Sequence, residues 1–362
     1  MLSTRCTGTF EPMFGRLSML SGGLFASRSH PDFDSLRAET DPERFVWAVL
    51  PLAARSFAAS IVVLPRDDSD SAAVAYLYAA MLDAYEDLLP DEADRPDLLR
   101  AFAARFGQTP RELPPPIPET LARDERERLH LLLVEKAALV DAVFDRLNPR
   151  HRRAVLELIT SMADGMAWAS ERFAEQGGVL EDDDQLFRYC HIVMGYPALF
   201  TIELLTGSRP RSVVDALAVS EMIQLANITR DIERDLARGV AYDPALRRHL
   251  GETTAPEVPA VRERLVGLAL TRATAFRSLY DSVDLTRRPE VRLAAVLMLL
   301  FTDLHFRRMA ARVGRAPWRG PRGKLMTVLV ALPSVVSNRY SSSLVARIEG
   351  RFLAAAATST PS

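Results

Sequence analysis

The sequence predicts an all-α protein. Its apolar residues recur with helical rather than alternating periodicity. Prolines, glycines and capping side chains divide the chain at intervals that suit helices, and neither an internal repeat nor a glycine-rich phosphate loop interrupts them. The expected unit is a single all-α domain over residues 41–353, with loosely ordered tails at 1–40 and 354–362.

Taken in order, Glu43–Leu64 is apolar on most sides, reads as a buried helix and ends at Pro65. Ser69, Asp70 and Ser71 offer capping oxygens to the next helix, which stops near Pro90. Pro110–Pro118 is a stiff surface connector. Glu119–Leu147 returns to helical spacing, and Asn148-Pro149 supplies a cap and a first-turn proline for a helix that runs to Gly177-Gly178. Asp182–Thr206 follows, with Asp182, Asp183 and Asp184 at the end where the helix dipole favours acids. The helix through Glu221–Ala237 stops before Gly239. Val261–Val283, Glu290–Arg312 and a run from Lys324 complete the bundle.

Basic and acidic residues nearly balance, 45 against 47, so no nucleic-acid partner is expected. The two cysteines, Cys6 and Cys190, have no metal-ligand spacing and point to a reducing, cytoplasmic setting. The first residues lack the apolar core of a signal peptide. Leu325–Val336 is shorter than the ~18 apolar residues a membrane span needs, and it contains Pro333. It reads as a buried terminal helix, with peripheral contact at a membrane surface as the alternative.

The chemistry centres on Glu221–Pro244. Asp231 and Asp235 stand four apart, which places both carboxylates on one helix face, with Gln224 and Asn227 upstream and Arg230 alongside. Like charges at that spacing disfavour a helix unless a cation intervenes, and Mg²⁺ binds through one or two carboxylates plus water and phosphate oxygens. The plainer reading is a solvated face neutralised by Arg230 and Arg234. Asp141 and Asp145 share the spacing without that company, so spacing alone is weak evidence. Asp83 and Asp87, with Glu86 beside them, repeat the arrangement on a distant helix. Two such helices face to face would hold several Mg²⁺ ions bridging a diphosphate.

Several stretches together resemble the squalene/phytoene synthase family. Ala54-Arg55-Ser56-Phe57 is similar to that family's Ser-Arg-Ser-Phe segment. Asp83-Ala84-Tyr85-Glu86-Asp87 resembles its first aspartate-rich motif, and Gln224–Asp235 resembles its second. Gly165-Met166-Ala167 and Tyr189-Cys190-His191-Ile192-Val193-Met194-Gly195 resemble its central helices. The resemblance, over roughly residues 45–320, implies an isoprenoid-synthase-type bundle around a deep apolar cavity and Mg²⁺-assisted loss of diphosphate from an allylic prenyl diphosphate. It implies metal binding by Asp83, Asp87, Asp231 and Asp235. Arg55, Ser56, Phe57, Tyr76, Gln224, Asn227 and Arg230 are the expected substrate-binding residues, Tyr76 falling where the family has a cavity tyrosine.

Four positions depart from the family pattern: Ala80 replaces an arginine, Ile192 and Phe301 replace tyrosines, and Tyr196 stands where a glycine is expected after Gly195. Pro197 is expected to bend its helix. The ionising residues are kept, while those that handle a second prenyl diphosphate look altered. The expected function is therefore transfer of the prenyl cation to a non-standard acceptor such as a small aromatic ring. The alternative is head-to-head condensation of two farnesyl or geranylgeranyl diphosphates. His191, Trp168 and Phe173 read as packing residues.

Overall fold

The structure is a computed structural model that describes residues 30–89, 94–283, 285, 288–314 and 323–357. Cys6, most of the expected amino-terminal tail, Pro90 and the last residues of the carboxyl tail lie outside the described residues. Among the described residues the regular secondary structure is helical, with one isolated bridge between Val179 and Ala241.

Helices α1 (Phe33–Ala38), α2 (Pro42–Ala54) and α3 (Ser56–Val62) open the chain. The first lies inside the stretch expected to be a loose tail. Asp32 caps it, Leu36 is buried, and Lys136 donates to the Arg37 carbonyl at 2.5 Å. The single helix expected over Glu43–Leu64 is broken at Arg55, whose backbone takes φ 51° and ψ −117°. Helix α4 (Arg66–Leu88) starts directly after Pro65, earlier than expected. The Ser69 and Ser71 hydroxyls do not cap it; they bond back to the Arg66 and Asp67 carbonyls within it.

Helix α5 (Arg95–Ala104) precedes the proline connector, and the helix expected over Glu119–Leu147 divides at Lys136 into α6 (Glu125–Glu135) and α7 (Ala137–Arg146). Asn148 caps α8 (Pro149–Glu175), its side chain accepting from the His151 amide at 2.9 Å. Asp182 caps α9 (Asp183–Cys190) in the same way. A π-helical turn, His191–Gly195, joins α9 to α10 (Tyr196–Thr206). This turn ends two residues before Pro197, and a wider turn accommodates a residue that has no N–H to give. The expected bend is thus a local widening.

Helix α11 (Val213–Leu236) packs on α12 (Val258–Leu270), α13 (Ala275–Ser282) and α14 (Pro289–Arg312). Helix α15 (Lys324–Ala331) and α16 (Asn338–Ala357) close the chain. Leu325–Val336 was expected to be buried, but Leu325, Met326, Leu329, Leu332 and Val336 are exposed. Only one side of this segment meets the bundle, through Thr327, Ala331 and Ser334. No described helix is long and apolar enough to cross a membrane.

Two large apolar clusters form the interior. Helices α2, α4, α5, α6, α7 and α8 build the first around Leu50, Leu77, Met81 and Phe102. The second is built around Met222, Leu225, Leu265 and Phe276, with α11 at its centre. Trp168 and Val193 touch both. The two acidic motifs therefore ride on helices set in different cores.

Candidate active site

Helix α4 buries Val74, Leu77, Tyr78, Met81, Leu82 and Tyr85. The remaining stripe of its last turns carries Asp83 and Glu86, both half-buried, and Asp87, whose side chain keeps 52% of its surface accessible. Helix α11 likewise buries Met222, Leu225, Ile228, Ile232 and Leu236, leaving Gln224, Asn227, Asp231 and Asp235 half-exposed on another face. A period of ~3.6 residues thus sorts apolar from acidic side chains on both helices.

The two acidic faces sense each other. Burial, then the charges of Asp87 and Asp231, push the Asp235 carboxyl up to about 7. Burial and Asp87 push Asp83 to about 7 as well. Glu86 is held well above the usual carboxylate range by burial and by Asp87, Asp83 and Asp235, and its Oε1 is buried without a hydrogen-bond partner. Asp87 is raised by burial although arginines oppose the shift. An accessible side chain that protein still surrounds describes the wall of an open cleft. Burial also pushes Asp231 up, but Arg230 more than offsets it; the guanidinium Nε donates to Asp231 at 2.7 Å, and the carboxyl lies below its ordinary value.

Cations ring these acids. Arg126 of α6 belongs to no motif, yet its charge is felt by Asp83, Asp87, Asp231, Tyr76 and Arg55. Arg55 itself is lowered by burial, Arg126 and Arg230. Lys324, at the start of α15, has a buried amino group without a hydrogen-bond partner, and burial, Arg55 and Arg308 lower it. Positive groups that crowd one another in this way leave room for an anion.

Glu127 of α6 connects the two motifs. Its buried carboxylate accepts from Arg234 at 2.7 Å, from Arg238, and from the Arg123 amide at 2.6 Å. Arg238 also stands 3.5 Å from Asp87. Beneath the acids, the Tyr242 hydroxyl donates to the Tyr189 hydroxyl at 3.3 Å, and Phe173 packs edge-on to both rings.

Most of the sequence-expected residues converge here. Tyr76 stacks on Phe57 with ring centroids 6.3 Å apart and donates to the Ala53 carbonyl at 3.3 Å. Burial raises its hydroxyl to about 12. Ser56 begins α3, half-buried between Arg55 and Phe57. Gln224 and Asn227 lie upstream of Asp231 and bond to each other at 3.1 Å. Asp141 is a structural acid, paired with Arg105 at 2.6 Å and Tyr78 at 2.7 Å, in keeping with its reading as a decoy. His191 bonds to Glu221 at 2.6 Å, and Arg272 holds the other oxygen of that carboxylate at 2.5 Å.

Three of the four departures lie in the interior, and Tyr196 is exposed. Ala80 and Ile192 are buried in the first core and Phe301 in the second. Ile192 fills the space over Gly165 so closely that a Cβ there would meet it at 2.6 Å. Sequence reasoning missed Arg126, Glu127, Arg238, Tyr242 and Lys324. The first two sit in Arg123–Arg128, inside a stretch whose sequence shows helical spacing and no motif.

Among the described residues no three His, Cys, Asp or Glu side chains come close enough to enclose a metal ion. The acids stand instead as facing pairs, a donor set that suits a hard cation completed by water and phosphate oxygens. An open depression of about 430 Å³ between Asp182, Asp183, Asp243 and Arg264 includes none of the paired aspartates.

A helical bundle that turns two acidic motifs toward one another belongs to the isoprenoid-synthase type. The squalene/phytoene synthase family model matches residues 50–322, and the chain belongs to that family, whose members are prenyltransferases generally dependent on a divalent metal. Over 213 residues it is 27% identical to the squalene synthase BSS of Botryococcus braunii, covering 56% of this chain and 43% of that protein. Over 208 residues it is 29% identical to the squalene synthase of Eremothecium gossypii, covering 55% of this chain and 45% of that protein. The chain thus spans about half the length of the curated relatives it matches. A solved TcSQS complex superposes with a TM-score of 0.58 at 17% identity, over 88% of this chain and 99% of that one. A dehydrosqualene synthase gives 0.50 at 16% identity, over 89% and 99%. Likeness at that identity concerns the fold.

Proposed function

We propose that this protein is a Mg²⁺-dependent prenyltransferase that joins two allylic prenyl diphosphates head to head. The observation that carries the reading is the mutual electrostatic influence of Asp83, Glu86 and Asp87 on α4 with Asp235 on α11. Acids that hold one another's protons at neutral pH favour a cation between them. Asp83, Asp87, Asp231 and Asp235 would hold Mg²⁺, which when bound supplies charge neutralisation to a departing diphosphate.

The chain's own side chains do the rest. Arg55, Arg126 and Arg230 bind phosphate oxygens, and Lys324 faces the same space. The C–O bond of one allylic diphosphate breaks, the diphosphate leaving with the electron pair; a double bond of the second prenyl chain takes up the allylic cation. The resulting tertiary cation closes to a cyclopropane as a C–H bond breaks and its proton passes to the departed diphosphate or to water. Phe57, Tyr76 and the half-buried Val193 give that cation apolar neighbours and limit water. The relatives support this condensation above transfer to a non-standard acceptor, because the similar proteins found are squalene synthases. Ala80, Ile192 and Phe301, which motivated the altered-acceptor reading, are core residues.

The test is purified protein with Mg²⁺ and farnesyl or geranylgeranyl diphosphate as sole substrate. A C30 or C40 hydrocarbon, or its cyclopropyl diphosphate precursor, is expected. Diphosphate release that needs an added aromatic acceptor overturns the head-to-head reading, and none under any condition overturns the enzyme.

A further inference from the structure

Helix α14 packs on α3, which opens with Ser56 and Phe57, and on α11, which carries Arg230 and Asp231. Arg312, in the last turn of α14, donates to the Arg230 carbonyl at 3.5 Å, so this part of the helix runs alongside the second acidic motif. Two turns earlier, on the same face, stands His305. Its Nε2 is buried and has no hydrogen-bond partner. Such an atom calls for an explanation, because a polar group taken from water ordinarily finds a partner in the protein.

The neighbours of the imidazole narrow the explanation. Burial lowers its pKa first and the charge of Arg230 next; Asp231 opposes them, Arg308 and Arg312 add to them, and the group comes to about 4. At neutral pH the ring is therefore uncharged, with one nitrogen lone pair to offer. Nε2 is shut off from solvent, so its partner has to come from the protein. Of the cations around it Arg230 acts most strongly, yet Arg230 is turned to Asp231. Its Nε donates to one carboxylate oxygen at 2.7 Å and its Nη2 to the other. Both oxygens of an expected metal ligand are thus engaged, and a divalent cation brought to that carboxylate repels the guanidinium.

We propose that His305 is a positioning residue: its Nε2 accepts an N–H of Arg230 when Asp231 turns to a divalent cation, and so holds the guanidinium ready for phosphate oxygens. This inference rests on the diphosphate reading given above. A guanidinium has five N–H groups, so one can go to the imidazole while others meet an anion. Without the imidazole the displaced guanidinium has no fixed acceptor, and metal uptake breaks the Arg230–Asp231 pair with no replacement.

The experiment compares the parent with His305→Leu, which removes the acceptor, and His305→Gln, whose side-chain oxygen can accept near the place of Nε2. Calorimetry measures Mg²⁺ binding in the presence of inorganic pyrophosphate. H305L is expected to bind about tenfold more weakly and H305Q within about threefold of the parent, a rescue that packing alone does not produce. In metal-free buffer H305L is expected to melt no lower than the parent, since it loses no hydrogen bond and removes an unpaired buried nitrogen. Should H305L not fold, the ¹⁵N resonance of His305 Nε2 in the parent, assigned by its absence from H305Q, decides. It is expected to move upfield when Mg²⁺ and pyrophosphate are added, as a nitrogen does on gaining a donor. A parent that binds no Mg²⁺ with pyrophosphate overturns the diphosphate reading and this inference with it. If the parent binds, then equal binding by H305L, H305Q as weak as H305L, a clearly lower melt of H305L, or a stationary Nε2 resonance overturns the role of His305 alone.

Discussion

Arg238 stands 3.5 Å from Asp87 while donating to the buried Glu127, and so ties the end of the second acidic helix to the end of the first. Arg238→Gln keeps a hydrogen-bond donor but removes the charge. It is expected to lower kcat/KM for the prenyl diphosphate by about 10²-fold, with little change in melting temperature. Steady-state kinetics beside a thermal melt check this; a collapsed melt with normal kinetics at low temperature would make the contact purely structural.

Asp83 and Asp235 sit at about 7 in the folded chain, against about 4 for aspartate in an unfolded one. Between those values the folded chain holds more protons, so these groups subtract stability as pH rises from about 4 to 8. Asp83→Asn is therefore expected to melt higher than the parent at pH 8, with the gap closing below about pH 4, while diphosphate release falls by about 10²–10³-fold. The same protons compete with metal, so Mg²⁺ affinity should tighten between pH 6 and 8. Melts across pH and calorimetric Mg²⁺ titrations measure both.

Arg126 influences acids of both motifs without pairing to one of them in a short contact. Arg126→Ala is expected to raise KM for the diphosphate substrate about tenfold or more, and Arg126→Lys to recover part of the loss. Equal kinetics in all three proteins would leave Arg126 without a part in substrate binding.

Gly165 and Ile192 leave no space for a methyl group between them. Gly165→Ala is expected to destabilise the fold by about 1–3 kcal/mol. Adding Ile192→Ala should recover part of that cost, since the two substitutions act on one contact. Denaturant unfolding of the single and double variants gives the coupling.

Much of this was legible in sequence because it is local. Asn148 and Asp182 announce their helices through a side-chain oxygen placed before an apolar run. The second motif helix ends near Leu236, before a glycine at φ 80°. Helical period puts each aspartate pair on one face, and the company of Gln224, Asn227 and Arg230 separates Asp231 and Asp235 from the decoy pair Asp141 and Asp145. What was not legible depends on distant parts of the chain. Lys136 is a good helix former, and its break is set by how α6 and α7 pack. Glu127 looks like one acid among many until α11 brings two arginines to it. Ala80, Ile192 and Phe301 look like lost functional groups beside the family pattern, whereas their surroundings show interior residues.

Arg55 holds a left-handed backbone that other residues than glycine seldom adopt, at the junction where α2 gives way to α3. Such a conformation costs about 1–3 kcal/mol and lasts only where its surroundings enforce it. A glycine would sit there more comfortably, so Arg55→Gly should unfold at higher denaturant than Arg55→Ala while both lose affinity for pyrophosphate. This chain carries the less comfortable residue there, and on the proposed function the strained joint is where durability yields to the grip on diphosphate.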